Sequence, residues 1–368
     1  MVEKSYKYRI YPNKHQKELI SKTFGCVRYV YNYYLNKRKE VYEKDKNTFD
    51  FYKCSKDLTS LKQQLIWLKE PDKCSLQNCL KDLNCAYQKF FKEHTGYPKF
   101  KSKKNRYQSY RTSCVNNNIR FENKHIKLPK LGYVKIRDKQ TPTGRILNAT
   151  ISQEPNGYYY CSICCTDVKI EQLPKTNKNI GIDLGLVDFA IMSNGIKIEN
   201  PRFYERLEKK LAKLQRELSR KTIGSSNWNK ARIKVAKLNK HIANQRTDFL
   251  QKLTTQLVKE YDVICIEDLD VKSMKETDNR IRNKRVGDVS WSEFRRMLIY
   301  KCNWYGKNLS IVDRYYPSSQ ICHKCGCKDD KKSEDIRFWK CLNCGVELDR
   351  DINAAINILN EGLRIINV

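Results

Sequence analysis

The sequence predicts a multidomain α/β chain, and three observations carry that prediction. Two short apolar, β-branched runs, NIGID over 179–183 and DVICIED over 262–268, each end on acid and are bounded by turn signals, as central strands are. Apolar residues recur at helical spacing over 14–46, 75–91 and 201–260. Between 119 and 170 the runs shorten to strand length with Gly, Pro and Asn punctuation (IRFENKHIKLPKLGYVKIR, NATISQEPNGYYYCSICC), which reads as a small β-barrel or sandwich. At 368 residues the chain has material for two or three such domains.

In order, residues 3–10 alternate as a strand, and YPNKHQ turns into a helix over 14–46 whose stripe is Leu19, Phe24, Val27, Val30, Tyr31, Tyr34 and Leu35. Helices follow over 55–69 and from Ser75 to Phe91. In the last, Leu76, Cys79, Leu80, Leu83, Ala86, Tyr87, Phe90 and Phe91 form the apolar face, and Gln77, Asn78 and Lys81 fall off it, residue types that reach base edges in a groove. Residues 96–113, opening GYPKFKSKKNRYQSYRT, mix Lys101, Lys103 and Arg106 with Tyr, Phe and Ser and have no period, which suits phosphate contacts and stacking.

EQLPKTNK at 171–178 is a domain boundary, after which GIDLG, DFAIMSNG and IKIEN begin a mixed sheet. Residues 201–260 form a helical hairpin broken at KTIGSSNWN, with Leu207, Leu211, Leu214 and Leu218 as its seam. The stretch VKSMKETDNRIRNKRVGDVSW after Glu267 lacks a period and reads as a mobile loop. Trp291, Phe294, Leu298 and Trp304 mark a helix, NLSIVDRYYPSS contains a strand, and a last helix begins near Asp351 with Ala354, Ala355, Ile358 and Leu359 on one face.

Composition narrows the function. Lys and Arg number 73 against 41 acidic residues, a formal charge of +32, which opposes compaction unless a polyanion neutralises it. Interleaved with this charge, 23 Tyr and 12 Phe suit base stacking. MVEKSYKYRIYP has no apolar signal region, and no run approaches a membrane span, so the expected location is intracellular. Cys322, Cys325, Cys341 and Cys344 follow C-x2-C-x15-C-x2-C, the spacing of a closed, structural zinc site; neighbouring His323 and Cys327 break that symmetry. Cys26, Cys54, Cys74, Cys79, Cys85 and Cys302 read as small core or helix-face residues in a reducing compartment.

The acids ending the two strands, Asp183 and Glu267, are joined by Asp351 at a helix N-terminus, where the free N–H groups favour negative charge. Isolated buried carboxylates are costly, and collected carboxylates make an oxygen cradle for hard cations such as Mg²⁺. Two such ions clamp an in-line phosphoryl displacement.

GIDLG, CIEDL and DRDINAAINIL resemble the three motifs of a RuvC-type nuclease core in the RNase H-like superfamily. With CHKCG and KCLNCG directly before DRD, the arrangement resembles TnpB (OrfB), the RNA-guided endonuclease family of bacterial and archaeal transposons related to the compact type V CRISPR nucleases. KYRIYPNKHQ, WLKE…LQNCLKDLNCAYQKFF and YPKFKSKKNRYQSYRT extend the similarity nearly end to end.

The resemblance implies an RNase H-like RuvC nuclease domain over 175–368 with a zinc ribbon inserted at 318–348. It further implies a wedge-like N-terminal β-barrel over 1–12 and 96–174 that grips guide RNA, with a helical recognition lobe inserted at 13–95. It implies Mg²⁺ or Mn²⁺ at Asp183, Glu267 and Asp351, the D-x-N-A-A pattern selecting Asp351 over Asp349, and structural Zn²⁺ at Cys322, Cys325, Cys341 and Cys344. The implied partners are a guide RNA from the transposon end and target double-stranded DNA in a prokaryotic cytoplasm, with no membrane and with monomer or dimer left open. Gln77 and Lys81 are then candidates for reading a short motif beside the target, and Lys101, Lys103 and Arg106 for backbone contacts. Two other readings stay open: a non-cleaving RNA-guided repressor, against which all three acids argue, and a guide-independent transposase or resolvase, which the acids alone do not exclude.

Overall fold

The computed structural model describes residues 2–46, 49–138, 140–276, 279–330 and 336–366. The chain divides into two compact units, Met1–Lys169 and Ile170–Val368.

The first unit opens with strand β1 (Val2–Tyr11) and three helices, α1 (Lys14–Asp45), α2 (Phe51–Gln64) and α3 (Lys73–Glu93). Six strands follow: β2 (Gln108–Ser113), β3 (Arg120–Glu122), β4 (His125–Leu128), β5 (Gly132–Ile136), β6 (Arg145–Gln153) and β7 (Tyr159–Val168). Their antiparallel sheet runs β2-β6-β7-β1-β5-β4-β3, so the N-terminal strand sits mid-sheet between segments more than a hundred residues away. Period-two alternation turns Tyr6, Tyr8 and Ile10 of β1 and Cys161, Ile163 and Cys165 of β7 into the interior. At the start of α1, Asn13 accepts from the Gln16 N–H and the Gln16 side chain accepts from the Asn13 N–H, a reciprocal cap that fixes the turn out of β1.

Two expectations change here. The helix expected over 55–69 is α2 followed by a 3₁₀ turn at Ile66–Lys69, because the chain leaves helical geometry at Leu65. Asn78 faces inward, not outward: its amide donates to the Arg111 carbonyl at 3.2 Å and to Ser113 Oγ at 3.1 Å. The side chain satisfies backbone that α3 would otherwise bury unpaired against β2.

The second unit begins with strands β8 (Asn179–Leu184), β9 (Asp188–Met192) and β10 (Lys197–Glu199) and the helical hairpin α4 (Phe203–Ser219) and α5 (Ser226–Glu260). Then come β11 (Val263–Glu267), α6 (Arg280–Val289), α7 (Trp291–Tyr305), β12 (Asn308–Val312), the hairpin β13 (Phe338–Lys340) and β14 (Glu347–Asp349), and α8 (Arg350–Ile366). The sheet runs β10-β9-β8-β11-β12, with β8, β11 and β12 parallel and the β9 and β10 pairings antiparallel.

Alternation divides the two sheet faces. Ile180, Ile182, Ile264 and Ile266 pack with Leu250 and Leu257 of α5 and Phe294 and Leu298 of α7. Cys265 and Val312 point the other way, onto Ile358 of α8. The result is helix, sheet, helix in three layers.

Of the four seam leucines only Leu211 is buried, since α4 packs chiefly along α5 and has no second wall. The stretch expected to be a mobile loop after Glu267 contains α6, started by Asn279, whose Oδ1 accepts from the Ile281 and Arg282 N–H groups, and anchored by buried Val286 and Val289. Two apolar anchors on ten residues are too few for a helical period to stand out. Residues 277–278 of that stretch, and 331–335 of the expected ribbon, lie outside the described residues. Among the described residues no helix is long and apolar enough to cross a membrane.

Candidate active site and metal centre

Parallel pairing sets Ile182 of β8 opposite Ile266 of β11, so Asp183 and Glu267 end neighbouring strands at the same level. Both share the sheet face of Gly181 and Cys265, the face covered by α8. Gly181 makes that cover possible: a Cβ there would lie 2.1 Å from the Ala355 carbonyl oxygen and 2.7 Å from the Leu359 nitrogen. Backbone thus touches backbone, and the first turn of α8 brings Asp351 to the same cleft, about 370 Å³ in volume, that Asp183 and Glu267 line.

The neighbouring acids are otherwise engaged. Asp268 is ion-paired with Arg314 at 3.0 Å and with Arg295, and these partners hold its carboxyl below the usual range. Asp349 caps α8, its Oδ1 accepting from the Asp351 and Ile352 N–H groups at 3.0 and 3.1 Å, while Oδ2 takes Lys197 at 2.8 Å. Burial works against ionisation of Asp349, but Lys197 and the N–H donors outweigh it and lower its pKa. Asp349 is thereby a cap, and Asp351 is the acid of that pair in the cleft.

At Asp183 and Glu267 burial outweighs the groups that favour ionisation. Burial, then the Glu267 and Asp351 carboxylates, push the Asp183 carboxyl well above its ordinary value. Burial pushes Glu267 up to about 7, against the Leu184 N–H, which donates to its Oε1 at 3.3 Å. Asp351 is drawn to Arg337, whose guanidinium lies 2.7 Å from Oδ2. The three carboxylates line one cleft, and two of them resist ionising; the charge of a hard divalent cation would relieve them.

Cys322, Cys325, Cys341 and Cys344 bring their sulfurs within 4.8 Å of one another, the one such ligand cluster among the described residues. Each pair rides a tight turn: the Gly326 N–H donates to the Cys322 carbonyl and the Gly345 N–H to that of Cys341, with both glycines at positive φ. The Cys327 N–H, then the Asn343 side chain, favour the Cys325 thiolate, which falls to about 6. At Cys344 the Val346 N–H favours the thiolate, yet burial and the adjoining thiols carry it up to about 11. Four thiols this close suit a structural metal such as zinc, which lets all of them ionise. His323 stands outside that cluster: its backbone N–H and its Nδ1 both meet Asn353 Oδ1, at 2.9 and 3.0 Å. The Asn353 and Asn357 amides donate to the Ile321 carbonyl at 2.7 and 2.6 Å, so the first cysteine turn is tied to α8 two residues after Asp351.

Gln77 and Lys81 are exposed on α3, and Lys101, Lys103 and Arg106 are exposed in the segment before β2. Asn32 of α1 pins that segment through both backbone groups of Lys101, at 2.8 and 2.9 Å, and the Lys101 ammonium lies 4.1 Å over the Tyr31 ring. Sequence reasoning missed Arg337, Lys197, Arg295 and Arg314 as neighbours of the acids; each meets its partner 14 to 152 residues away in the chain and has no local signature.

The family described as "Probable transposase" (OrfB) matches residues 162–278, a Cas12f1-like TNB domain matches 291–358, and an OrfB "Helix-turn-helix domain" matches 1–47. Within the described part of that last region the structure has one strand and one long helix. A Streptomyces pristinaespiralis protein described as a candidate RNA-guided DNA endonuclease is 38% identical over 98% of this chain and 90% of its own length. InsQ of Escherichia coli K12, described likewise, is 32% identical over 97% and 92%. A TnpB-like protein of Acanthamoeba polyphaga mimivirus, L79, is 25% identical over 98% and 73%. Among solved structures, the Cas12f1–sgRNA–target DNA complex aligns with a TM-score of 0.66 at 13% identity over 98% of this chain and 99% of that one. The mini RNA-guided endonuclease Cas_phi3 aligns with a TM-score of 0.51 at 12% identity over 98% and 92%. Both are likenesses of fold.

Proposed function

The chain belongs to the TnpB (OrfB) family, and from that membership we propose that it is an RNA-guided DNA endonuclease whose cutting centre is the cleft of Asp183, Glu267 and Asp351. The observation that carries the reading is the convergence of three carboxylates from β8, β11 and α8, two of them held well above their ordinary pKa.

Asp183 and Asp351 would hold two Mg²⁺ or Mn²⁺ ions, and Glu267 would complete the set. When bound, such ions supply positive charge to both the entering and the departing oxygen of a phosphodiester. The chain's own part is to hold three oxygen donors rigidly on two strands and a helix and to keep Asp268 and Asp349 out of the set. Water adds to phosphorus in line, the P–O3′ bond breaks, and the 3′ oxygen leaves as a hydroxyl. The ribbon is a structural zinc site at Cys322, Cys325, Cys341 and Cys344 that steadies the first turn of α8.

The second unit is read as RuvC-like. In the first, the seven-stranded sheet is read as the barrel that grips the guide RNA and α1–α3 as the inserted recognition lobe, with Gln77 and Lys81 near the motif beside the target and Lys101, Lys103 and Arg106 on backbone phosphates. Base pairing by the guide reads sequence while protein reads shape and backbone. The +32 formal charge supports this division of labour. The working location is the cell interior.

The test is to express the chain with the DNA that flanks it, sequence the RNA that co-purifies, and offer matched DNA with Mg²⁺. One dominant RNA with a constant scaffold and a variable 3′ end, and cutting that follows the guide and disappears in Asp183→Ala, is the expected result. Cutting indifferent to the RNA would make it a guide-independent nuclease, and guided binding without cutting a repressor.

A further inference from the structure

The first unit contains a pocket that the nuclease reading does not use. About 490 Å³ in volume, it lies between the C-terminal half of α1, which presents Arg38 and Tyr42 with Lys46 directly after it, and the end of α3 with the segment after it. Its wall is aromatic. Tyr87 and Phe91 are near parallel, with ring centroids 6.4 Å apart and planes inclined by 19°. Tyr97 stands edge-on to Tyr87 and Phe90, at 5.7 and 5.3 Å, and the Tyr87 and Tyr97 hydroxyls are 2.9 Å apart. The wall is braced from both elements yet open to solvent: Phe91 is 69%, Tyr42 56% and Tyr97 44% exposed. Clustered exposed rings on a charged chain mark a binding surface.

The rim is cationic. The Arg38 guanidinium lies 4.6 Å over the Tyr87 ring and is oriented by Asn84 Oδ1 at 3.3 Å and by the Phe49 carbonyl. The Lys46 ammonium is 5.3 Å from the Tyr42 ring centre. Neither cation forms an ion pair among the described residues, whereas Lys39 faces Glu43 at 3.6 Å. A flat apolar wall with positive charge at its mouth matches a planar base carrying a phosphate, and every base has a face to stack.

We propose that this pocket takes an unstacked base of a single-stranded RNA. Glu43, which lines the pocket beside its partner Lys39, favours that occupant: its carboxylate accepts a hydrogen bond from a ribose 2′-hydroxyl, which DNA lacks. The inference deepens the RNA-guided reading and rests on it for the source of the strand.

The test uses the full chain, with Phe91→Ala and Tyr42→Ala chosen because both rings are exposed and their loss leaves the fold intact, as a melting curve checks. The probes are a short unstructured RNA containing 2-aminopurine and the DNA of the same sequence. Each substitution should weaken RNA binding about tenfold and abolish the quenching of 2-aminopurine on binding. Ultraviolet crosslinking of the wild-type RNA complex should leave nucleotide adducts on peptides containing Tyr42 or Phe91. Unchanged RNA affinity and quenching in the double variant, or a loss confined to the DNA probe, overturns the proposal. The two readings fail separately. A chain that co-purifies with one dominant RNA but shows no pocket dependence keeps the nuclease reading and loses the pocket. A chain with no preferred RNA whose probe binding still needs Phe91 does the reverse.

Discussion

Gly181 and Ala355 are in backbone contact: a Cβ on Gly181 would sit 2.1 Å from the Ala355 carbonyl oxygen. Farther along the same helix, a Cβ on Gly362 would sit 2.4 Å from Cys265 Sγ. Two glycines, one on the strand and one on the helix, thus let α8 lie directly on β8 and β11. That seating fixes how far Asp351 stands from Asp183 and Glu267. Gly181→Ala should cost about 1–3 kcal/mol through overpacking. Cleavage should fall by a larger factor than stability accounts for, because the displaced helix carries an acid. Melting curves and cleavage rates on one preparation decide it, and wild-type cutting by Gly181→Ala would remove the argument.

Asp183→Asn keeps the side chain's shape and removes a ligand charge. The proposed role predicts a loss of cutting of at least about a hundredfold, equivalent to several kcal/mol of transition-state stabilisation. Affinity for nucleic acid should stay within about twofold, since the basic surface is untouched. A gel-shift titration beside a cleavage assay separates the two.

Glu267 gives the metal-free chain a pH signature. Its carboxyl is raised from 4.5 to about 7, chiefly by burial, so between those values the native state keeps a proton that the unfolded chain has lost. The stability this group contributes is therefore fully present below 4.5 and lost as pH rises through about 7. Asp183 acts in the same direction. In chelator, the melting temperature of the wild type should drop relative to Glu267→Gln across that window, and metal affinity should climb over it as protons cease to compete. Parallel melting profiles for the two proteins would be the contrary result.

Zinc should be present at one ion per chain. Its removal, or Cys322→Ser, should release the His323 and Ile321 contacts to Asn353 and with them the seat of α8. Melting should fall by roughly 5 °C or more and cutting should fail, with RNA binding retained. Metal analysis by mass spectrometry and differential scanning fluorimetry give the readouts.

Arg337→Ala frees Asp351 Oδ2 from its ion pair. The arginine is half exposed, so the gain is modest: Mn²⁺ should bind the metal-free cleft about two- to fivefold more tightly, in line with a pair worth under about 1 kcal/mol. Mn²⁺ titration by electron paramagnetic resonance measures it. Weaker binding would mean that Arg337 orients Asp351 for the ion instead of competing with it.

The elements that frame the cleft were legible because their signals are local. Buried parallel strands must be apolar on both faces, so an acid ending each one stands out, and thiolate spacing in two tight turns is set by the metal geometry. Asn78 reversed its expected direction because a polar residue beside β2 serves backbone that no helical period reveals. The partners of the acids were hidden for a related reason. Lys197 and Asp349 are 152 residues apart, and the fold alone brings them together to 2.8 Å. The same holds for Lys307, buried against Asp262, whose carboxyl also takes the Thr176 and Asn177 N–H groups and is held down to about 2, the Lys307 bond first among the causes. That clamp shapes the approach to β8, and nothing near Lys307 in sequence announces it.

The burial of Asp183 and Glu267 has an evolutionary consequence. A metal-free site whose carboxyls are held above their ordinary range is held against its own electrostatics, so an Asn or Gln there relaxes the metal-free fold. In the metal-free chain, drift toward inactivity therefore meets no loss of stability. Only continued selection for cutting preserves the acids, and a lineage in which that selection lapses inherits an intact scaffold with an emptied cleft.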